Sequence, residues 1–313
     1  GNKSLSRTTI NSFVDDKDTY DDYTWNNIIT YEDTFNEAHK LKILLGHEMF
    51  ETKGFFAGQT GIGLLDGANA FEDASISNSE VVNPRFQPAA IETGGNQFKS
   101  RLMSYFGRVQ YAYKEKYLVS ALLRRDQSSK FSKVENFNVG YFNSVSLGWN
   151  ISEENFLKDN DFVNSFKLRA SFGQLGSDRV GGGNFPYIGS LNGEGTYSNN
   201  EETLESELLV GVAEGQLGNP FLKWETTSTG NLGIDVSLFD NKISFNLDVF
   251  QKTTDDLLIQ PQSSGLTGVA GIGSSAPAIN AGTVENSGVE FLISYRDQFS
   301  ENFNFNTSFN FTT

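Results

Sequence analysis

Along much of the chain, apolar and polar residues take turns. In "ISFNLDVF", Ile243, Phe245, Leu247 and Val249 fall on one side and Ser244, Asn246 and Asp248 on the other. "SVSLGWNIS" sets Val145, Leu147, Trp149 and Ile151 against Ser146, Gly148 and Asn150, and "SFKLRASF" sets Phe166, Leu168, Ala170 and Phe172 against Lys167, Arg169 and Ser171. In the final "ENFNFNTSFNFTT", Phe303, Phe305, Phe309 and Phe311 alternate with Asn304, Asn306, Ser308 and Asn310. A period of two is the signature of a strand with one greasy and one wet face. Such segments predict about eleven strands, near 5–14, 22–35, 40–55, 99–113, 117–127, 138–152, 163–176, 222–238, 242–255, 284–297 and 302–313.

The connections between these strands sort into two classes that alternate. Short ones fall at 36–39, 114–116, 240–241 and 298–301, with a medium one at 153–162 that has room for a helical turn. Long, polar, Gly-rich ones fall at 56–98, 177–221 and 256–283, with shorter members of the same class at 15–21 and 128–137. Strict alternation gathers the long connections at one end of the sheet. Soluble sandwiches also alternate apolar and polar residues. However, long loops at one end and short turns at the other, with strands long enough to cross a bilayer at a tilt of about 45°, are the pattern of a membrane barrel.

Composition supports an all-β fold. Glycine (31) and phenylalanine (27) are abundant in the 313 residues, which suits strands joined by turns. Cysteine is absent, which removes disulfides, thiolate metal sites and a cysteine nucleophile. A net charge of −15 argues against nucleic acid, whose phosphates call for clustered Lys and Arg. No apolar run approaches the roughly 20 residues of a membrane helix, a test that a β-barrel passes unseen.

Five stretches, in order, carry a family resemblance: "FGRVQYAYKEKYLVSALLRRDQSSKF", "SVSLGWNISEENFL", "FKLRASFGQLGS", "LGNPFLKWETTSTGNLGIDVSLFDNKISFNLDVFQKTTDDLL" and "NSGVEFLISY". They resemble the barrel of SusC-like, TonB-linked outer-membrane transporters from about residue 99 onward and, more loosely, back through "HKLKILLGHEMFE". The resemblance implies a partial antiparallel transmembrane β-barrel, about eleven strands of a 22-stranded whole, in the bacterial outer membrane. It also implies import of oligosaccharides or peptides, with a SusD-like surface lipoprotein as lid and the TonB–ExbB–ExbD complex as energy source. The whole of 1–313 is then expected to be barrel. The signal peptide, N-terminal domain, TonB box, plug and last strands of such transporters are expected outside it, and the terminal phenylalanine face is expected to meet lipid. The rival reading is a soluble β-rich carbohydrate-binding or adhesin domain, with its apolar faces buried against a second sheet.

Chemical motifs are sparse. "HEMFE" (His47 to Glu51) approaches the HExxH zinc signature, but Glu51 stands where the second histidine should be and the segment reads as a strand. The other histidine, His39, lies in a short turn and has no serine or aspartate arrangement around it, so no catalytic residue is assigned. "DDKDTYDD" offers five carboxylates, with Asp15, Asp16 and Asp18 the nearest approach to a calcium site. The EF-hand spacing and its glycine are missing, so a solvated acidic loop is the favoured reading and no cofactor is assigned. "GVAGIG" and "RVGGGN" are followed by neither Lys-Ser/Thr nor a helical pattern and read as flexible loop. In "NPFLKWE", Pro220 turns the chain and Trp224 is expected to anchor a strand at the membrane interface. The substrate-binding candidates are aromatics of the long loops, Phe56, Phe71, Phe86, Phe185, Tyr187 and Tyr197, set among amides and carboxylates that would orient a sugar or peptide.

Overall fold

The computed structural model describes residues 12–62, 92–158, 160–180, 184–198, 208–215, 217–261, 276–300 and 303–313. Ten long strands form one antiparallel sheet: β1 (Ser12–Phe35), β2 (His39–Ile62), β3 (Glu92–Tyr113), β4 (Tyr117–Ser128), β5 (Val139–Asn150), β6 (Val163–Ser177), β9 (Glu225–Leu238), β10 (Ile243–Asp255), β13 (Thr283–Ser300) and β14 (Phe303–Thr312). They lie side by side in chain order, each next to its successor. Two small ribbons interrupt the series, β7 (Leu191–Ser198) with β8 (Leu208–Glu214) and β11 (Leu258–Ile259) with β12 (Ile279–Asn280). By compactness the chain falls into two units, one of Gly1–Tyr23 with Glu51–Ser100 and one of Thr24–Phe50 with Arg101–Thr313.

Within the larger unit the register sorts the two faces. Tyr111, Val119, Leu147, Ala170, Leu232, Val249 and Val289 stand directly opposite one another across seven strands. One position along, the opposite face carries Ala112, Leu118, Gly148, Arg169, Gly233, Asp248 and Glu290. The apolar row is open: Val119, Leu147, Leu232 and Val249 are all exposed, as are Phe303, Phe305, Phe309 and Phe311 of β14. A soluble sandwich buries such a face under a second sheet, whereas a barrel in lipid leaves it outermost. Phe245, Leu247 and Phe309 share this face, and Asn246 and Asp248 the other, as the alternation predicts.

The short connections are tight. β1–β2 turns through Asn36 and Glu37, and β3–β4 through Lys114 and Glu115, both pairs in the left-handed region (φ 50–56°) that two-residue hairpins favour because it matches the strand twist. Beside these turns the apolar face ends in a band of rings. Tyr113 stacks on Tyr117 and Tyr117 on Trp149, at 6.4 and 6.5 Å, while His39 sits 4.9 Å from Tyr113 and Phe162 meets Phe239 edge-on at 5.8 Å. Such belts mark where a barrel leaves the hydrocarbon.

Four expectations need correction. The segments 5–14 and 22–35, with a loop at 15–21, become the single strand β1 across the described residues, so the acidic run lies in a strand and the sheet has ten long strands. A strand spreads its residues along its length, and Asp16 and Asp18 are simply exposed. Of the loop expected at 56–98, residues 56–62 and 92–98 belong instead to β2 and β3, which run well beyond the places where their alternation fades. The connection at 177–221 contains the β7–β8 ribbon. The fourth concerns Trp224, whose place is in the site described next.

Candidate functional site

The long connections after β4, β6 and β10 pack on one another at one end of the larger unit. Their shared core is Phe131, Phe142, Leu222, Trp224 and Ala278, with Leu102, Val180 and Leu258 against it. Trp224 is only 7% exposed, and its ring lies 5.4 Å from those of both Phe131 and Phe142. It is therefore a buried core residue and not the interfacial anchor expected from sequence. Its indole Nε1–H has no acceptor among the described residues. Gly140 and Gly176 make room for Phe142, since a Cβ at either would lie within 2.4 Å of its ring.

"NPFLKWE" is the clamp of this platform. The Asn219 side chain donates to the Ala278 carbonyl (2.9 Å), and its backbone N–H donates to the Pro186 carbonyl (3.0 Å). Asn280 accepts from the Lys223 N–H (2.9 Å) and donates to the carbonyls of Lys223 and Asp256 (2.8 and 2.9 Å). Glu225 accepts from the Leu258 N–H at 3.1 Å, and Lys223 pairs with Asp256 at 2.7 Å. The backbone polar groups of two loops are thus satisfied by one segment, which fixes the loops to each other.

Of the predicted binding aromatics, Phe185 and Tyr187 belong to this platform. They flank the fully buried Pro186 and meet edge-on at 6.3 Å, both partly buried. Tyr197 lies in β7, with its side chain outside the described residues, as are Phe71 and Phe86 entirely. Phe56 is in β2 rather than a loop, within the smaller unit. There it stacks on Phe98 at 5.7 Å and meets Tyr20 edge-on at 5.7 Å, forming a trio of rings. Tyr20 does not stand out in sequence because it sits in an acidic run, nor Phe98 because it falls just before the stretch whose alternation marks the strand, although β3 already begins at Glu92. The three residues lie on the neighbouring strands β1, β2 and β3. Gly54 accommodates Phe98, whose ring a Cβ there would meet at 2.1 Å.

The polar face of the larger unit is a connected charge network. Arg169 donates to both oxygens of Asp235 (2.6 and 2.9 Å) and to Asp248 (3.0 Å), while Asn246 donates to Asp235 (2.7 Å). The guanidinium lies over Gly233, where a Cβ would come within 2.6 Å of Arg169 Cζ. Further along, Arg124 forks onto Asp126 (2.8 and 2.9 Å) and donates to Ser104 (2.8 Å). A depression of about 560 Å³ on this face is lined by Lys40, Lys42, Gln110, Ser120, Lys167 and Arg169, among others. Such a surface holds polar cargo or a polar protein partner through oriented donors and acceptors; it contains no nucleophile with a base beside it. No group of three or more His, Asp or Glu able to hold a metal occurs among the described residues.

The comparisons with known proteins agree with this architecture. Residues 2–313 match the family described as "TonB dependent receptor-like, beta-barrel". The chain is 35% identical over 297 residues to TonB-dependent receptor P39 of Formosa agariphila, covering 94% of this chain and 26% of that protein. It is 33% identical over 247 residues to TonB-dependent receptor SusC of Bacteroides thetaiotaomicron, covering 78% of this chain and 23% of SusC. It therefore spans about a quarter of the length of these curated relatives. Among solved structures, the RagAB peptide importer in its closed-closed state superimposes with a TM-score of 0.76 at 22% identity, over 98% of this chain and 31% of that one. With an unclothed apolar face, an aromatic belt beside the short turns and a family match along nearly its whole length, the chain belongs to the TonB-dependent receptor β-barrels of the outer membrane, in their SusC-like branch.

Proposed function

We propose that this chain forms part of the wall of an active importer that brings oligosaccharides across the outer membrane. The likeness to SusC carries the reading. The platform of packed loops gives it a physical basis, since a ligand captured outside the cell needs a stable rim and not a set of independent loops. In this reading Phe185 and Tyr187 on the platform and the Phe56–Phe98–Tyr20 trio offer aromatic faces to sugar rings. A SusD-like lipoprotein closes over the rim, and the polar face bearing Arg169, Asp235 and Asp248 lines the way through. The energy comes from TonB–ExbB–ExbD, acting on parts of the transporter other than the residues described here. No covalent step is assigned to the chain, because its task is capture and passage.

Peptides are the second substrate class, favoured by the fold shared with RagAB, which is described as a peptide importer. The test is uptake by cells carrying the intact transporter. Growth on a glycan that is lost on deletion and restored by the wild-type gene supports the oligosaccharide reading. Growth loss confined to peptide-limited medium assigns peptides. Co-purification of a surface lipoprotein from detergent extracts supports the lid, and its absence from every growth condition removes it.

A further inference from the structure

The apolar face carries, flanked by aromatic rings, a charged side chain that a lipid-facing wall should not: Arg125. Across β2 to β5, at the end away from the aromatic belt, Tyr105, Arg125 and Tyr141 stand directly opposite one another, Arg125 in the middle. His47 extends the row, its ring 4.7 Å from Tyr105, and Trp25 follows at 6.2 Å from His47. The neighbouring Arg124, on the other face, is occupied by Asp126 and Ser104. Arg125, by contrast, has no carboxylate partner among the described residues.

The next row toward the middle of the sheet places Gly107 opposite Leu123, with Asn143 beyond. Gly107 has no side chain to fill its place between Leu45 and Leu123, which stand 57% and 67% exposed on either side. The result is a groove of about 600 Å³ lined by Ile29, Leu45, Gly107 and Leu123 along its apolar part and by His47, Tyr105, Arg125, Tyr141 and Asn143 at its polar end.

Height in the membrane gives the row its meaning. Arg125 is eight residues along β4 from Tyr117 of the aromatic belt. At about 3.3 Å per residue and a tilt of about 40°, this is about 20 Å of a hydrocarbon band about 25 Å tall. A long arginine side chain snorkels the remainder, so the guanidinium reaches the headgroup layer at the long-loop end, among tyrosines that favour the same layer.

We infer that this groove is a lipid site, in which an acyl chain lies over Gly107 between Leu45 and Leu123 and the headgroup phosphate of an outer-leaflet lipid is held by Arg125, with His47, Tyr105 and Tyr141 around it. A guanidinium with no carboxylate partner among the described residues is matched in charge and in its fork geometry to a phosphate, and an apolar channel leading from it is matched to an acyl chain. The site does not depend on which substrate is imported.

Native mass spectrometry of the intact outer-membrane protein in mild detergent tests it, with bis-phosphorylated lipid A and dephosphorylated lipid A as probes. The wild type should retain the phosphorylated form about tenfold better, the worth of about one charge-assisted contact. Arg125→Gln should lose that preference, Arg125→Lys should keep most of it, and Gly107→Leu should reduce retention of both lipids by filling the groove. Equal retention of the two lipids by the wild type overturns the phosphate assignment even if Arg125→Gln fails to assemble. Full retention by Arg125→Gln overturns it too. One-for-one displacement by inorganic phosphate would make the occupant a free anion and end the lipid proposal.

Discussion

Single residues in this chain act mainly by settling polar groups where the sheet meets another medium. Glu154, in the connection between β5 and β6, accepts from the Tyr117 hydroxyl (2.6 Å) and the Trp149 indole (3.1 Å) on one oxygen and from Lys116 (3.2 Å) on the other. The bond from Tyr117, then those from Trp149 and Lys116, hold its carboxyl below the ordinary glutamate range. A carboxylate with a lowered folded-state value contributes stability above its unfolded value and loses it as pH falls through the folded one. The difference in melting temperature between wild type and Glu154→Gln should therefore be present at about pH 7 and shrink steadily toward about pH 3. A difference that grows on acidification would show that Glu154 does not serve as the ionised acceptor of these rings.

At the scale of elements, what can be read from sequence is what repeats. The period of two in β5, β6, β10 and β14 exposes both faces at once, because every second residue must suit the same medium. It predicts a sharp asymmetry at adjacent positions of β10: Leu247→Arg places a charge on the apolar face, at a cost of about 2–4 kcal/mol near the membrane middle, whereas Asn246→Arg joins the polar network. Outer-membrane yield should fall steeply for the first and little for the second, and equal yields would refute the assignment of faces. Elements whose pattern is broken were harder to see. The acidic run of β1 resembles a solvated loop because carboxylates are scarce in strands, yet the backbone there stays extended. The platform core was illegible for another reason: Phe131, Leu222 with Trp224, and Ala278 come from three separate loops without periodicity and meet only in three dimensions. The candidate site was legible to the same limited degree. Phe56, Phe185 and Tyr187 stand out as aromatics among polar residues, but the partners of Phe56 come from the two strands beside β2, and the fork of Arg169 onto Asp235 joins residues on neighbouring strands far apart in sequence.

For the molecule as a whole, orientation decides what each end of the sheet can do. Barrels of the outer membrane put short turns in the periplasm and long loops outside. The larger unit keeps these classes apart, with the turns at Asn36–Glu37 and Lys114–Glu115 at one end and the packed platform of long loops at the other. Inverting the sheet would turn the platform toward the periplasm, away from any ligand in the medium, and would set the Arg125 row in the inner leaflet. These 313 residues contain no cysteine, so a single cysteine introduced among them is their one thiol, and the unsubstituted transporter serves as the labelling blank. Ile188, 54% exposed on the platform, and Asp240, exposed in the β9–β10 turn, mark the two ends. On intact cells a membrane-impermeant maleimide should label Ile188→Cys as fully as it does after permeabilisation, and should label Asp240→Cys only once the outer membrane is opened. The reverse pattern would invert the sheet, and with it the proposed rim and lid and the leaflet of the proposed lipid groove. Labelling of both on intact cells would mean that the apolar face does not span a bilayer at all.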